Sequence, residues 1–143
     1  MRARATLSSR SMAAWWLVGL EDRPERCAEL CVMEVFGDAL DDAPSAAVGM
    51  GSRQFRDPRM VDDFAAPRLD LDIAQFHTYA VDWRPDGATF LVDGQQVRSV
   101  AVSPDYPMQT MLAVFDFPDK ATPGTPYVVP ELVVDRIAGH PLR

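Results

Sequence analysis

The chain has 143 residues, and its 21 Asp and Glu against 14 Lys and Arg give a formal net charge of -7 at pH 7. This length predicts one domain with a sizeable core, because a chain of this size buries roughly 68–70% of the surface that it exposes when unfolded. The negative charge argues against nucleic acid or an anionic membrane as partner, since binding to phosphates depends on Lys and Arg. With 48% hydrophobic and 24% charged residues, the composition excludes the disordered and fibrous classes.

Short β-branched and aromatic runs, bounded by Pro, Gly and Asp, recur along the whole chain and predict an all-β fold. In chain order we expect strands at 3–8, 12–18, 27–36, 46–51, 76–83, 88–93, 95–102, 106–115 and 128–138.

Turn and loop sequences separate these strands. The turn sequences RPDG at 84–87 and DGQ at 93–95 predict that the three strands between 76 and 102 pair as neighbours. Polar, Pro-rich stretches predict loops at 38–45, 52–70 and 116–127. Many short strands are best buried in a two-sheet antiparallel β-sandwich of jelly-roll type, which we expect to occupy residues 1–143 as a single domain.

The strand CAELCVMEVFG contains two glutamates and a cysteine in an otherwise buried pattern. In a regular strand, Glu29 and Cys31 share one face, whereas Glu34 points to the other face. A β-bulge at Val32-Met33 would return Glu34 to the face of Glu29, and bulges are frequent beside active sites. The alternative is an ordinary strand with the two glutamates on opposite, solvated sides.

Two carboxyl groups that share one cleft have a defined use in glycosidases. A retaining glycosidase places them about 5–5.5 Å apart, one as nucleophile and the other as general acid and then base. A pair of glutamates is by itself a weak indication of a catalytic site. The surrounding sequence is therefore needed to distinguish a catalytic pair from two solvent-exposed surface residues.

Five segments in order resemble glycoside hydrolase family 16. ELCVMEVFG is similar to its active-site strand, Glu-x-Asp-x-x-Glu, and the others are MAAWWLVG, FHTYAVDWRPDGATFLVDGQQV, YPMQTMLAVF and ELVVDRIAG. The resemblance implies a concanavalin A-like jelly roll that hydrolyses or transfers β-glycosidic bonds of glucans or galactans with retention. It also implies that the early strands of the jelly roll are missing, so that the domain is incomplete.

The resemblance assigns roles to three residues of the acidic strand. Glu29 matches the nucleophile, Glu34 matches the acid/base, and Cys31 stands where the family has Asp. That Asp would help to keep one glutamate protonated and the other ionised, whereas a thiol is mostly neutral at pH 7. Three interpretations of Cys31 follow: a tolerated variant of a working site, a weakened site, or a thiol nucleophile that lacks a nearby base.

Aromatic side chains on the face of the acids would bind the apolar face of a sugar ring. Trp16 is the first candidate and shares a face with Met12, while Trp15 alternates towards the core. Met12 takes the place of a Trp in the family. On the late strand Gln109 and Phe115 share a face, and Phe115 is either a sugar contact or core filler.

The remaining candidates are predicted to be structural. His77 is expected to be a hydrogen-bonded structural histidine, and Trp83 and Tyr79 are expected to pack in the core or at an edge. The acidic runs DALDDAP and VDDF lack the spacing of a calcium loop, so we predict no cofactor and no metal. A strand geometry that places Cys27 and Cys31 roughly 13 Å apart excludes a disulfide between them.

Two functional hypotheses stay open. The first is a retaining β-glycan hydrolase or transglycosylase acting on a polysaccharide or oligosaccharide, and the second is a catalytically inactive, lectin-like domain on the same fold. Neither needs a nucleic acid or a membrane as partner. The sequence shows no export signal, although the resemblance implies exported relatives.

Overall fold

The computed structural model describes residues 1–40, 44–121, 123–124 and 127–141. In this part of the chain, two five-stranded antiparallel sheets lie face to face, with a short two-stranded sheet beside them. The all-β, jelly-roll type of sandwich predicted from the sequence is confirmed.

The front sheet consists of β2 (Ser11–Gly19), β3 (Glu29–Phe36), β5 (Gly49–Arg53), β6 (Asp63–Ala65) and β11 (Met108–Asp116), in the order β11-β2-β3-β5-β6. The back sheet consists of β1 (Arg2–Thr6), β8 (His77–Arg84), β9 (Gly87–Val92), β10 (Gln95–Val100) and β12 (Glu131–Arg136), in the order β10-β9-β8-β1-β12. The small sheet pairs β4 (Ala46–Ala47) with β7 (Arg68–Leu69).

Two short 3-10 helices follow strands of the front sheet, at Gly37–Ala39 and Pro118–Lys120. In the described residues no helix is both long and apolar enough to cross a membrane.

The predicted meander is confirmed, because β8, β9 and β10 are neighbours in one sheet. The prediction of a loop over 52–70 is wrong, since this stretch contains the end of β5 together with β6 and β7. These strands are three and two residues long, and backbone pairing forms them rather than a hydrophobic pattern. Asp63 in β6 also accepts an ion-pair hydrogen bond from Arg98 of the back sheet, which ties the edge of one sheet to the other.

Two predicted strands differ more from the structure than the others, whose ends lie within two residues of the predicted positions. The single strand expected at 46–51 is divided between β4 and β5, which belong to different sheets. The last strand begins at Glu131 rather than at 128, directly after Pro130, which has no backbone N–H to donate to a ladder.

The core lies between the two large sheets. Trp15, Leu30 and Met33 of the front sheet meet Tyr79 and Phe90 of the back sheet in one hydrophobic cluster. Trp15 is 6% exposed, which confirms that it points into the core. The opposite face of the front sheet is therefore the one left for a binding site.

Candidate active site

Strand β3 contains the predicted bulge. On β2, the consecutive residues Trp15 and Trp16 pair with Met33 and Cys31, so Val32 has no partner there. On the other neighbour, β5, the pairing jumps from Cys31 to Glu34 while only one residue, Met50, separates their partners. Two residues of β3 thus oppose one residue of β5, which is the pattern of a β-bulge.

The bulge returns Glu34 to the face of Glu29. Glu29 pairs with Val18, and Glu34 pairs with Ala14. Val18 and Ala14 are four residues apart in a regular strand and therefore lie on one face, which directly paired residues share. Val32 and Met33 are both turned into the core, with exposures of 1% and 2%. The two glutamates consequently stand together on the outer face of the front sheet.

Cys31 lies between the two acids. Its Sγ is 4.0 Å from Oε2 of Glu29, and its thiol also hydrogen-bonds to Glu34. The residue is 0% exposed, and burial, together with the charge of Glu34, raises the pKa of the Cys31 thiol far above its ordinary value. The thiol is therefore neutral and acts as a weak hydrogen-bond donor at this position.

Glu29 is partly buried, and the groups around it have opposite effects on its pKa. Burial and the neighbouring Glu34 carboxyl raise the pKa of Glu29 above its ordinary value, in that order of size. The positive charge of Arg53 and a hydrogen bond from the Trp16 side chain act in the opposite direction. The pKa of Glu29 is therefore higher than that of a glutamate side chain in water, and Arg53 and Trp16 reduce the size of this increase.

The sequence-predicted binding residues all lie on the face of the acids. Trp16 pairs with Cys31, and Met12 pairs with both Phe36 and Phe115. Gln109 is exposed at the far end of β11, where it pairs with Val18. Phe115 is 38% exposed on this outer face, so the alternative that it fills the core is wrong.

Sequence reasoning missed two aromatic rings that extend this surface. Phe115 and Phe117 have centroids 6.2 Å apart and planes inclined by 9°, while Phe117 and Phe36 are 6.5 Å apart and inclined by 17°. Trp16 adjoins Phe115 at 6.4 Å. These four side chains form an aromatic row that begins beside the acids. The period-2 spacing of Phe115 and Phe117 was the signal available in the sequence.

Arg53 and Phe64 were also missed, and they border the acids on the other side. Arg53 pairs with Glu29, and its guanidinium carbon is 3.8 Å from the centroid of the Phe64 ring. The alternation of Gly49, Gly51 and Arg53 along β5 places all three on the face of the acids.

The residues predicted to be structural have structural partners. Both ring nitrogens of His77 are hydrogen-bonded, Nδ1 to the Asp93 carboxyl at 2.7 Å and Nε2 to the Asp72 carbonyl at 3.0 Å. The Trp83 indole donates to the Pro104 carbonyl. His77 lies in the back sheet, away from the acids.

In the part of the chain that the structure describes, neither a metal-binding cluster nor a disulfide is seen. Within it, no group of three or more His, Cys, Asp or Glu side chains is arranged to hold a metal ion. Asp41 and Asp42 of the acidic run DALDDAP lie outside the described residues. Cys27 and Cys31 are both free and buried.

A cavity of about 1140 Å³ opens elsewhere, beside the core. Trp15, Trp83, Tyr106 and Ile137 are among its lining residues, whereas neither Glu29 nor Glu34 borders it. The acids therefore belong to an open face of the sheet and not to this cavity.

Two antiparallel sheets packed as a sandwich, with a bulged strand that presents two glutamates beside a row of aromatic rings, define a jelly-roll protein with a candidate site on its open face. The model of the glycosyl hydrolases family 16 matches residues 1–128, and the chain belongs to this family. No curated protein matches the chain.

Solved structures share the fold at low sequence identity. A GlcNAcα1-4Gal-releasing endo-β-galactosidase from Clostridium perfringens has a TM-score of 0.68 and 23% identity, over 92% of this chain and 34% of that one. The catalytic domain of an endo-1,3-β-glucanase (laminarinase) from Thermotoga petrophila has a TM-score of 0.64 and 20% identity, over 92% and 57%. The chain thus spans between a third and three fifths of the length of these two enzymes.

Proposed function

We propose that the chain carries the catalytic acids of a retaining β-glycan hydrolase or transglycosylase that acts on a β-glucan- or galactan-type polysaccharide. The observation that supports this best is the bulge at Val32-Met33, which puts Glu29 and Glu34 on one face with Cys31 between them. Two carboxyl groups on one face of a sheet are the arrangement that a double displacement needs.

Glu29 is proposed as the nucleophile and Glu34 as the acid/base. In the first step the Glu29 carboxylate attacks the anomeric carbon while Glu34 donates its proton to the departing glycosidic oxygen. In the second step Glu34 removes a proton from water, which attacks the anomeric carbon and releases Glu29 with net retention. A sugar hydroxyl in place of water gives transglycosylation by the same route.

The charge balance of the site predicts the acid limb of the pH profile. The nucleophile must be ionised, and burial raises the pKa of Glu29. Activity is therefore expected to fall as the pH drops through this raised pKa, at a higher pH than for a free glutamate side chain. Cys31 contributes no negative charge between the acids, because its thiol is neutral.

Glycan binding is proposed for the face that surrounds the acids. Trp16 and Phe115 offer rings for the apolar face of a pyranose, and Gln109 offers an amide for sugar hydroxyls at the exposed end of β11. Met12 supplies an apolar contact between Phe36 and Phe115. The activities of two enzymes with a similar fold, an endo-β-galactosidase and an endo-1,3-β-glucanase, support the same substrate class.

The test is the release of reducing sugar from a panel of β-glucans and galactans by the wild type, Glu29→Gln and Glu34→Gln. The proposal is supported if the wild type releases sugar and either substitution lowers the rate of release by a factor of about 10³ or more. Release that persists in both variants contradicts it.

A lectin-like domain is the second candidate, and one observation favours it. The acid expected between the glutamates is replaced by a neutral, buried thiol, so the pair lacks one negative charge that would tune it. Glycan binding by the wild type without any release, unchanged by Glu29→Gln, would establish the lectin-like function.

A further inference from the structure

Arg53 faces Glu29 across strands β3 and β5. The two residues are direct partners in the antiparallel ladder, so their side chains leave the sheet on the same side. Arg53 is partly buried, and its guanidinium lies over the ring of Phe64 at 3.8 Å from carbon to centroid. Stacking on an aromatic face fixes the plane of a guanidinium and shields one side of it from water.

Two glycines allow Phe64 to occupy this place. Gly51 pairs directly with Phe64, and Gly49 lies two residues along the same face. A Cβ on Gly49 would lie 2.5 Å from Cζ of Phe64 and 3.1 Å from Cβ of Glu34. The Phe64 ring therefore lies across β5 over Gly49, with its tip beside Glu34.

The charged and polar groups that face Glu29 come from each neighbouring element. Its own strand contributes Cys31 and Glu34, and β2 contributes the Trp16 indole. Strand β5 contributes Arg53, and the ring of Phe64 from β6 covers that guanidinium. Among these groups Arg53 is the positively charged one, and its effect on the pKa of Glu29 is opposite to that of the neighbouring Glu34 carboxyl.

We propose that Arg53, held by Phe64, is a positioning residue that keeps the Glu29 carboxylate ionised for attack, an inference that rests on the proposed function of Glu29. The physical reason is Coulombic attraction. A positive charge that is held in place near a partly buried carboxyl stabilises the ionised carboxylate more than a mobile, hydrated positive charge does. This role matters here because burial and Glu34 both favour the neutral form of Glu29.

The first measurement is a carbon-13 NMR titration of the glutamate carboxyls, with the Glu29 signal assigned by its loss in Glu29→Gln. Arg53→Met is expected to move the Glu29 titration to higher pH, while Arg53→Lys moves it less, because the charge is kept. Arg56→Met is the matched control, since Arg56 is exposed and pairs with Glu21. A Glu29 titration that is the same in wild type and Arg53→Met overturns the proposal.

The second measurement is the pH dependence of glycan release. On the acid limb, Arg53→Met is expected to reduce kcat/KM by roughly threefold to tenfold more than it does on the pH plateau. Phe64→Leu, which frees the guanidinium, is expected to produce a smaller shift of the same sign. A uniform loss at all pH values in Arg53→Met, with an unchanged Glu29 titration, would show a merely structural role and overturn the inference.

The two measurements separate this inference from the proposed function. A shifted titration in a protein that releases no sugar supports the electrostatic role of Arg53 and contradicts hydrolysis. Sugar release that depends on Glu29, with no shift in Arg53→Met, supports hydrolysis and overturns the role of Arg53.

Discussion

Val32 and Met33 are consecutive residues of one strand, yet both side chains are buried in the core between the sheets. Consecutive residues of a regular strand point to opposite faces, so this pair marks the place where the alternation of β3 is interrupted. The interruption shifts every later side chain of the strand to the other face. Glu34 owes its position beside Glu29 to this local irregularity.

Deleting Val32 is expected to preserve the site. Without Val32 the strand becomes regular, and Glu29, Cys31 and Glu34 then follow one another at spacings of two residues on one face. Stability should fall by about 1–3 kcal/mol, because a buried valine is lost. The variant should still release sugar from the substrate of the wild type, as followed by a reducing-end assay.

Deleting Leu30 is the control in the same strand. This deletion puts Glu29 directly before Cys31 and turns it towards the other face, so no release is expected. Circular dichroism establishes that each variant is folded before its activity is compared. A folded Val32 deletion with no activity would contradict the geometric account of the acid pair.

Chemical rescue with azide is expected to distinguish the two acids. In Glu29→Ala, azide should occupy the vacated nucleophile position and give a glycosyl azide with inverted configuration from an activated aryl glycoside. In Glu34→Ala the covalent step remains possible with a good leaving group, so azide should give the product of retained configuration. Proton NMR of the anomeric signal reports the configuration, and the reverse pattern would exchange the roles.

Replacement of Cys31 by Asp is expected to leave activity intact or to raise it. The change supplies a strong hydrogen-bond acceptor and a negative charge between Glu29 and Glu34, which are the properties that the thiol lacks. Cys31→Ser is the neutral control and should resemble the wild type. A large loss of kcat in both variants would assign a role of its own to the thiol.

The aromatic row is expected to contribute to binding more than to chemistry. Phe117→Ala should raise KM about fivefold, which corresponds to about 1 kcal/mol of lost stacking, with little change in kcat. Leu112→Ala is the matched control, because Leu112 is 43% exposed on β11 but pairs with Trp15 and so lies on the opposite face. Equal KM values for Phe117→Ala and the wild type would remove Phe117 from the binding surface.

Tyr106 is expected to stabilise the start of the acidic strand. Its hydroxyl accepts a hydrogen bond from the Ala28 amide at 3.0 Å and also hydrogen-bonds to Asp57, and both partners are buried. Burial raises the pKa of Tyr106 to about 12, so the hydroxyl is protonated and able to donate.

Tyr106→Phe should therefore lower the free energy of unfolding by about 1–3 kcal/mol, because two buried polar groups lose a partner. Tyr127→Phe is the control, since Tyr127 is 54% exposed, and its effect should stay within about 0.5 kcal/mol. Urea denaturation of both variants measures the difference. Equal stability of Tyr106→Phe and the wild type would contradict this assignment.

Features that depend on neighbours along the chain could be predicted. The period-2 pattern of β2 correctly separated Trp15 from Trp16, and the turn sequences around β9 correctly predicted the meander. The possibility of a bulge at Val32-Met33 followed from the need to place two acids on one face. Short strands such as β6 were not predictable, because three residues carry too little pattern for a strand.

The sequence alone determined the all-β class, the strand that carries the acids and the faces of its neighbouring strands, because side-chain alternation is a local property of the backbone. Only the tertiary structure decided that Arg53 stands opposite Glu29 and that Phe64 lies beside Glu34. These residues are brought together by the pairing of β3, β5 and β6. Such pairing depends on long-range hydrogen bonds and on the space left by Gly49 and Gly51, which no local pattern in the chain records.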